Sequence, residues 1–295
     1  MKAACDIFYG IYGDDEQSII IKNHLRRVEL HPLCMILLAT TASHNACDYD
    51  QVAKGWDIQW TRVSRKYHNR NLAATLELLL ASPAFRELGP DARELLGVVA
   101  FFPQGIDEKN LDWLLPTASN GANIFDKFCA LSLTHRSDGL ITMLAPIRDY
   151  FRPQDPSSSP LLLAIKDRYF GWLSVDVDPD KPGFEEARWI AWEDINTEHL
   201  LDVFTSTDPY KGDTWDACYH FIEHLYWHKP RQTLLGLKIK ALAECYSIEP
   251  RCLSELSRLF GRVKNHAERK RLLTLALGFK RREGEDHQVA QTLKC

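Results

Sequence analysis

The stretch Leu131-Ser132-Leu133-Thr134-His135-Arg136-Ser137-Asp138-Gly139-Leu140-Ile141-Thr142-Met143 decides how this chain reads. On both sides of Ser137-Asp138-Gly139 the apolar residues recur with the two-residue period of a strand. Gly139 adopts positive φ at no steric cost, so the middle reads as a hairpin turn. The pattern predicts strands over 131–134 and 140–143. Upstream the apolar spacing is helical, and several helices followed by one hairpin describe a winged helix, expected over residues 71–152.

Working back from the hairpin, helices are expected over 124–133, 90–100 and 71–80. Asp107 is placed to N-cap a short helix ending at Leu115. Leu95, Val99, Phe101, Phe128 and Leu131 are the expected core of this module. Residues 1–70 form a helical subdomain. Its helices read as 3–12, 17–29, a very apolar 33–41 and 48–60, before a basic segment from Arg62 to Arg70. His31-Pro32 punctuates the chain, since proline disfavours helix before itself and suits a first turn.

Working forward, Pro153-Gln154-Asp155-Pro156-Ser157-Ser158-Ser159-Pro160 is expected to be a linker that holds neither helix nor central strand. A helical connector follows over 161–250. From residue 251 the apolar positions Leu253, Leu256, Leu259, Phe260, Leu272, Leu275, Ala276 and Phe279, with Gly261 between, resemble a tetratricopeptide helix pair. Leu293 repeats Leu253 forty residues on, longer than the usual spacing of about 34. The expected fold class is therefore mainly α.

Composition narrows the functional classes. Apolar residues make up 45% and the net charge is −4, which suits a globular chain and gives no global pull towards nucleic acid. Residues 251–295 are locally basic, with 11 Lys/Arg against 5 Asp/Glu. Such tails are mostly solvated helix faces. The eight cysteines are scattered without a C-x-x-C pair, which fits reduced thiols and a cytoplasmic location. No secretory leader is read at the N-terminus and no apolar run approaches a membrane span.

These residues resemble the NB-ARC family of STAND signalling ATPases, and most closely its fungal branch, where a nucleotide-binding module precedes tetratricopeptide repeats. In that family a G-x-P signature packs its proline on adenine. The matching stretch is Leu30-His31-Pro32-Leu33, with Leu30 where the glycine would stand. The family's winged helix ends in a Met-His-Asp signature that senses the β-phosphate of ADP. Met143-Leu144-Ala145 occupies that place, and Ile147-Arg148-Asp149 continues the pattern. Leu144 and Ala145 carry no side-chain donor, so the resemblance implies a degenerate sensor. The G-x-x-x-x-G-K-[ST] loop does not occur, nor does a strand ending in a magnesium-binding aspartate.

The expected function is a non-catalytic hinge and interaction fragment of a nucleotide-switched protein. It has no cofactor of its own, while the parent family uses ADP and ATP. It would meet a P-loop half, in cis or in trans, and a protein partner through its C-terminal helices. No membrane contact is expected. The alternatives are a free-standing helical scaffold and weak nucleic-acid binding through the winged helix, which the acids scattered through 71–151 disfavour. His220, His224 and His228 recur every four residues, but the outer two are about 12 Å apart along a helix, too far to share one metal ion. Asp176, Asp178 and Asp180 lack the glycine and terminal glutamate of a calcium loop and read as solvated.

Overall fold

The computed structural model describes residues 2–13, 19–29, 31–44, 49–63, 70–115, 121–173, 194–207, 212–231, 233, 235–236, 238–239 and 250–282. It is mainly helical with one small antiparallel sheet. The chain divides into two compact units, one of residues 1–101 and 105–153, the other of 102–104 and 154–295.

The first unit opens with helices α1 (Lys2–Tyr12), α2 (Ile19–Arg27), α3 (Pro32–His44), α4 (Tyr49–Arg62) and α5 (Arg70–Leu80). The very apolar helix expected from sequence is α3. It buries Leu33, Cys34, Met35, Leu37, Leu38, Ala39, Thr40, Thr41 and Ala42, and so has almost no solvent face. A helix apolar all round must be enclosed, and α1, α4 and α5 pack on it. Trp56 of α4 is fully buried there, and its indole N–H donates to Thr75 Oγ1 of α5 at 3.0 Å. The partner matters because a buried indole N–H left without an acceptor is costly. Thus α5, which the sequence reading put in the second module, packs with α3 and α4. Its apolar run Leu72 to Leu80 is taken up by that bundle.

Next come α6 (Pro83–Arg86), α7 (Ala92–Phe101), β1 (Ile106–Asp107), a 3-10 turn at Glu108–Asn110, α8 (Leu111–Leu114), α9 (Gly121–Ala130), β2 (His135–Ser137), β3 (Leu140–Thr142) and α10 (Ala145–Phe151). Asp107 caps as expected, its carboxylate accepting from Lys109 N–H at 2.9 Å. The strand order is β1-β3-β2, with Ile106 opposite Ile141 and Ser137 opposite Leu140. Asp138 (φ 54°) and Gly139 (φ 77°) both hold positive φ, as a two-residue type I′ hairpin turn requires.

The first hairpin strand lies at 135–137 and not at 131–134. Leu131 to Thr134 instead close α9. Ser132 takes φ 58°, its N–H donates to Cys129 O at 3.0 Å, and Leu133 N–H donates to Phe128 O at 2.9 Å. This is a Schellman ending, whose buried apolar residues mimic a strand's alternation. Strand β1 was not foreseen. Gly105 (φ 83°) sets it against β3 so closely that a Cβ there would collide with the Ile141 carbonyl oxygen. The five expected core residues, Leu95, Val99, Phe101, Phe128 and Leu131, are all at most 1% exposed.

The boundary between the units falls at Pro153–Gln154. The expected linker carries local structure. Asp155 caps a 3-10 turn at Pro156–Ser158, Pro156 is buried, and Ser159 Oγ accepts from Leu162 N–H at 3.2 Å. Serine as cap and proline at a first helical turn are good helix starters, so the same residues begin α11 (Pro160–Leu173). The second unit continues with α12 (Asp194–Thr207), α13 (Gly212–His228), α14 (Pro250–Arg262) and α15 (His266–Arg282). The last two form a closely packed pair joined by a second Schellman ending. Lys264 takes φ 61°, Asn265 N–H donates to Phe260 O at 2.9 Å, and Asn265 Oδ1 accepts from Glu268 N–H at 3.3 Å. Leu253, Leu256, Leu259, Phe260, Leu272, Ala276 and Phe279 are buried as their spacing predicted, whereas Leu275 is half-buried. Asp176, Asp178, Asp180, Leu293 and most of the basic 62–70 segment lie outside the described residues.

Candidate functional site

Position 31 ends one turn and starts the next helix. Its N–H donates to Val28 O at 3.1 Å and its carbonyl accepts from Met35 N–H at 3.1 Å. Pro32 then sits as first residue of α3, exposed, above a buried helix. His31 Nδ1 is shielded from solvent and takes no hydrogen bond among the described residues. Leu30 lies outside them.

Met143-Leu144-Ala145 follow β3 directly. Met143 is buried at 6% exposure, while Leu144 is 47% exposed. Leu144 stands at the N-cap of α10 with extended backbone (φ −60°, ψ 141°) and gives no side-chain hydrogen bond. Capping needs a side-chain acceptor, which leucine lacks, so only its carbonyl takes part, accepting from Arg148 N–H at 2.8 Å. Ala145 and Pro146 are exposed beside it. No hydrogen bond joins this corner to His31–Pro32 among the described residues. The side chains of Met143, Leu144 and Ala145 carry no hydrogen-bond donor or cation for a phosphate.

The rest of the surface bears on nucleic acid. Among the described side chains of α9, Asn123, Asp126, Lys127 and Ala130 are exposed. Arg136 of β2 lies between Asp126, at 2.5 Å, and Glu108. The single basic side chain of the hairpin is therefore already neutralised by protein carboxylates.

No family model, curated protein or solved structure matches the chain. Its own geometry is what supports a function.

Among the described residues no group of three or more His, Cys, Asp or Glu side chains is placed to hold a metal ion. His224 and His228 of α13 stack with ring centroids 4.5 Å apart, and His220 lies instead near Glu223 at 3.9 Å. Burial pushes the Cys34 thiol up to about 11 and raises that of Cys218 as well, so neither is a thiolate nucleophile at neutral pH. His24 of α2 is 3% exposed against the edge of Trp56, with centroids 4.9 Å apart. Burial lowers its pKa from 6.5 to about 4; Asp57 opposes that shift and Arg27 adds to it. It is a neutral core histidine. No described helix is long and apolar enough to cross a membrane.

Sequence reasoning missed Glu77. This α5 carboxylate accepts from Tyr150 Oη of α10, and its same oxygen takes Arg93 Nη2 of α7 at 3.4 Å. Each residue is an ordinary helix-surface type, so only their three-dimensional meeting marks them.

Proposed function

We propose that α7, β1, α8, α9, β2 and β3 form a winged helix joined to a five-helix ARC-like bundle. The chain then acts as the non-catalytic hinge of an NB-ARC-type signalling protein. The observation that carries this is the order helix, strand, two helices, hairpin, with sheet order β1-β3-β2. The Met143-Leu144-Ala145 corner stands where that family's phosphate sensor would be. The neutralised Arg136 and acidic Asp126 favour a hinge over a reader of nucleic acid. A partner with a P-loop would supply the nucleotide chemistry, and the closely packed α14–α15 pair is the surface proposed for a protein partner. We place the hinge in the cytoplasm on the strength of its scattered thiols.

Calorimetry with adenosine, ADP and ATP, beside phosphate release from ATP, tests the reading. Adenosine and ADP should bind equally weakly, and turnover should stay at buffer background. Leu144→His with Ala145→Asp should then favour ADP over adenosine by about 1–3 kcal/mol, a typical coupling. ATP turnover that survives repeated purification would make the chain an enzyme and end this proposal. An unchanged ADP preference in the double variant would leave Leu144 as an ordinary surface residue.

A further inference from the structure

We infer that Glu77 is the pivot of a polar clasp that holds the α1–α5 bundle on the α6–α10 module, with α10 tying that clasp to position 144. The consequence for switching rests on the hinge reading above. The clasp itself does not.

The closest packing lies inside each half: α1, α4 and α5 on α3, and α7 on α10. Across the halves the packing is much sparser, and among the described residues its main element contact is α5 with α6, its neighbour in sequence. Among the described residues, Thr40 and Glu77 of the bundle make polar contacts across the same divide. Thr40 of α3 meets Ser132 at the end of α9, with their oxygens 3.3 Å apart. Glu77 of α5 takes both Tyr150 and Arg93 on one carboxylate oxygen. A phenol donating to a carboxylate is a charge-assisted bond and stronger than a neutral one. The Arg93 side chain is 59% exposed, and so exposed an ion pair adds little. Tyr150 is therefore the working arm.

Helix α10 is seven residues long and begins immediately after Leu144. Ile147 and Phe151 are buried on its inner side, and it packs on α7. Gly97 of α7 faces the end of α10 where it is smallest: even a Cβ there would lie 3.7 Å from Phe151 O. A short helix so anchored moves as one piece. A displacement at its first turn is carried to Tyr150 in its second, and there meets Glu77.

Hydrogen exchange on the whole chain without nucleotide tests this, using Tyr150→Phe, Glu77→Gln and the double variant, with Arg93→Gln beside them. Tyr150→Phe removes one oxygen, and circular dichroism checks that the fold is kept. Exchange across 145–152 and 70–80 should rise roughly threefold or more in both single variants, as local opening predicts. The double variant should rise no further, because both changes break one contact. Arg93→Gln should change exchange less than about twofold, as an exposed pair does. Three results overturn the clasp: unchanged exchange in Tyr150→Phe, an increase that spreads equally to α3, or a double variant that multiplies the single effects. None of them touches the adenosine and ADP comparison, so the two ideas fail separately.

Discussion

Around α3 the residues that organise the fold are large: Phe8, Met35, Leu37 and Trp56 are at most 2% exposed. Around the sheet several of them are small: Gly105, Ser132 and Gly139 hold positive φ at the points where the chain turns. The first region is specified by volume, the second by backbone as well as volume. A bundle built on volume tolerates exchange among large apolar residues of similar size. A sheet of two- and three-residue strands has little ladder to spare and depends on its turns.

The sharpest test of that contrast is a pair of truncations. Phe128 is fully buried, stacked on Phe85 and edge-on to Phe125. Phe128→Ala should lower stability in urea by about 3–5 kcal/mol, and Leu37→Ala in the bundle by about 2–5 kcal/mol. If both shift one common transition, the halves unfold together. Two separate transitions would break the first unit into independent parts, and a loss below about 1 kcal/mol would place the Phe128 ring in solvent.

Acid should strike the bundle through His24. His24 has a folded pKa of about 4 against 6.5 when exposed, so the unfolded chain binds the extra proton between those values. Stability is complete above about pH 6.5 and falls as pH drops towards 4, by at most about 3 kcal/mol. Urea titrations from pH 7.5 to 4, with His24→Gln as the comparison, read this. An equal acid slope in the variant would assign the effect to other groups.

Glycine changes probe the sheet side. Gly105→Ala places a methyl against the Ile141 carbonyl and should cost about 1–3 kcal/mol or more. Gly139→Ala has open space around it, so it should lose only the left-handed backbone term, about 1 kcal/mol. Equal losses would show that close approach at β1 does not matter. The smallest effect belongs to Arg136→Ala, whose partly exposed ion pairs should contribute less than about 1 kcal/mol.

The same contrast explains what the sequence made legible. Apolar spacing located α3, α4, α7 and α9 to within a few residues, because volume leaves a periodic trace. Asp138-Gly139 announced the turn. The strand before it was misplaced because Leu131 and Leu133 alternate in a helix ending as they would in a strand. Two-residue β1 leaves no period to read. The Pro/Ser run at 153–160 was read as a linker, and composition does not reveal that Asp155 and Ser159 each find a backbone N–H to cap. Of the candidate site, the sequence could mark positions 31–32 and 143–145 but not their exposure, and Glu77 with Tyr150 left no mark at all.

Asn265 has a consequence for how the C-terminal pair can change length. It closes α14 through its N–H and opens α15 through its side chain, with two residues, Val263 and Lys264, before it. The two helices are therefore geared: one residue added at this joint would turn α15 by about 100° about its axis, since 3.6 residues make a turn. Leu272, Ala276 and Phe279 would rotate off α14, and Lys270 or Arg271 would rotate on. A joint of this kind admits substitution far more readily than insertion, and any lengthening that keeps the teeth engaged must come in whole helical turns.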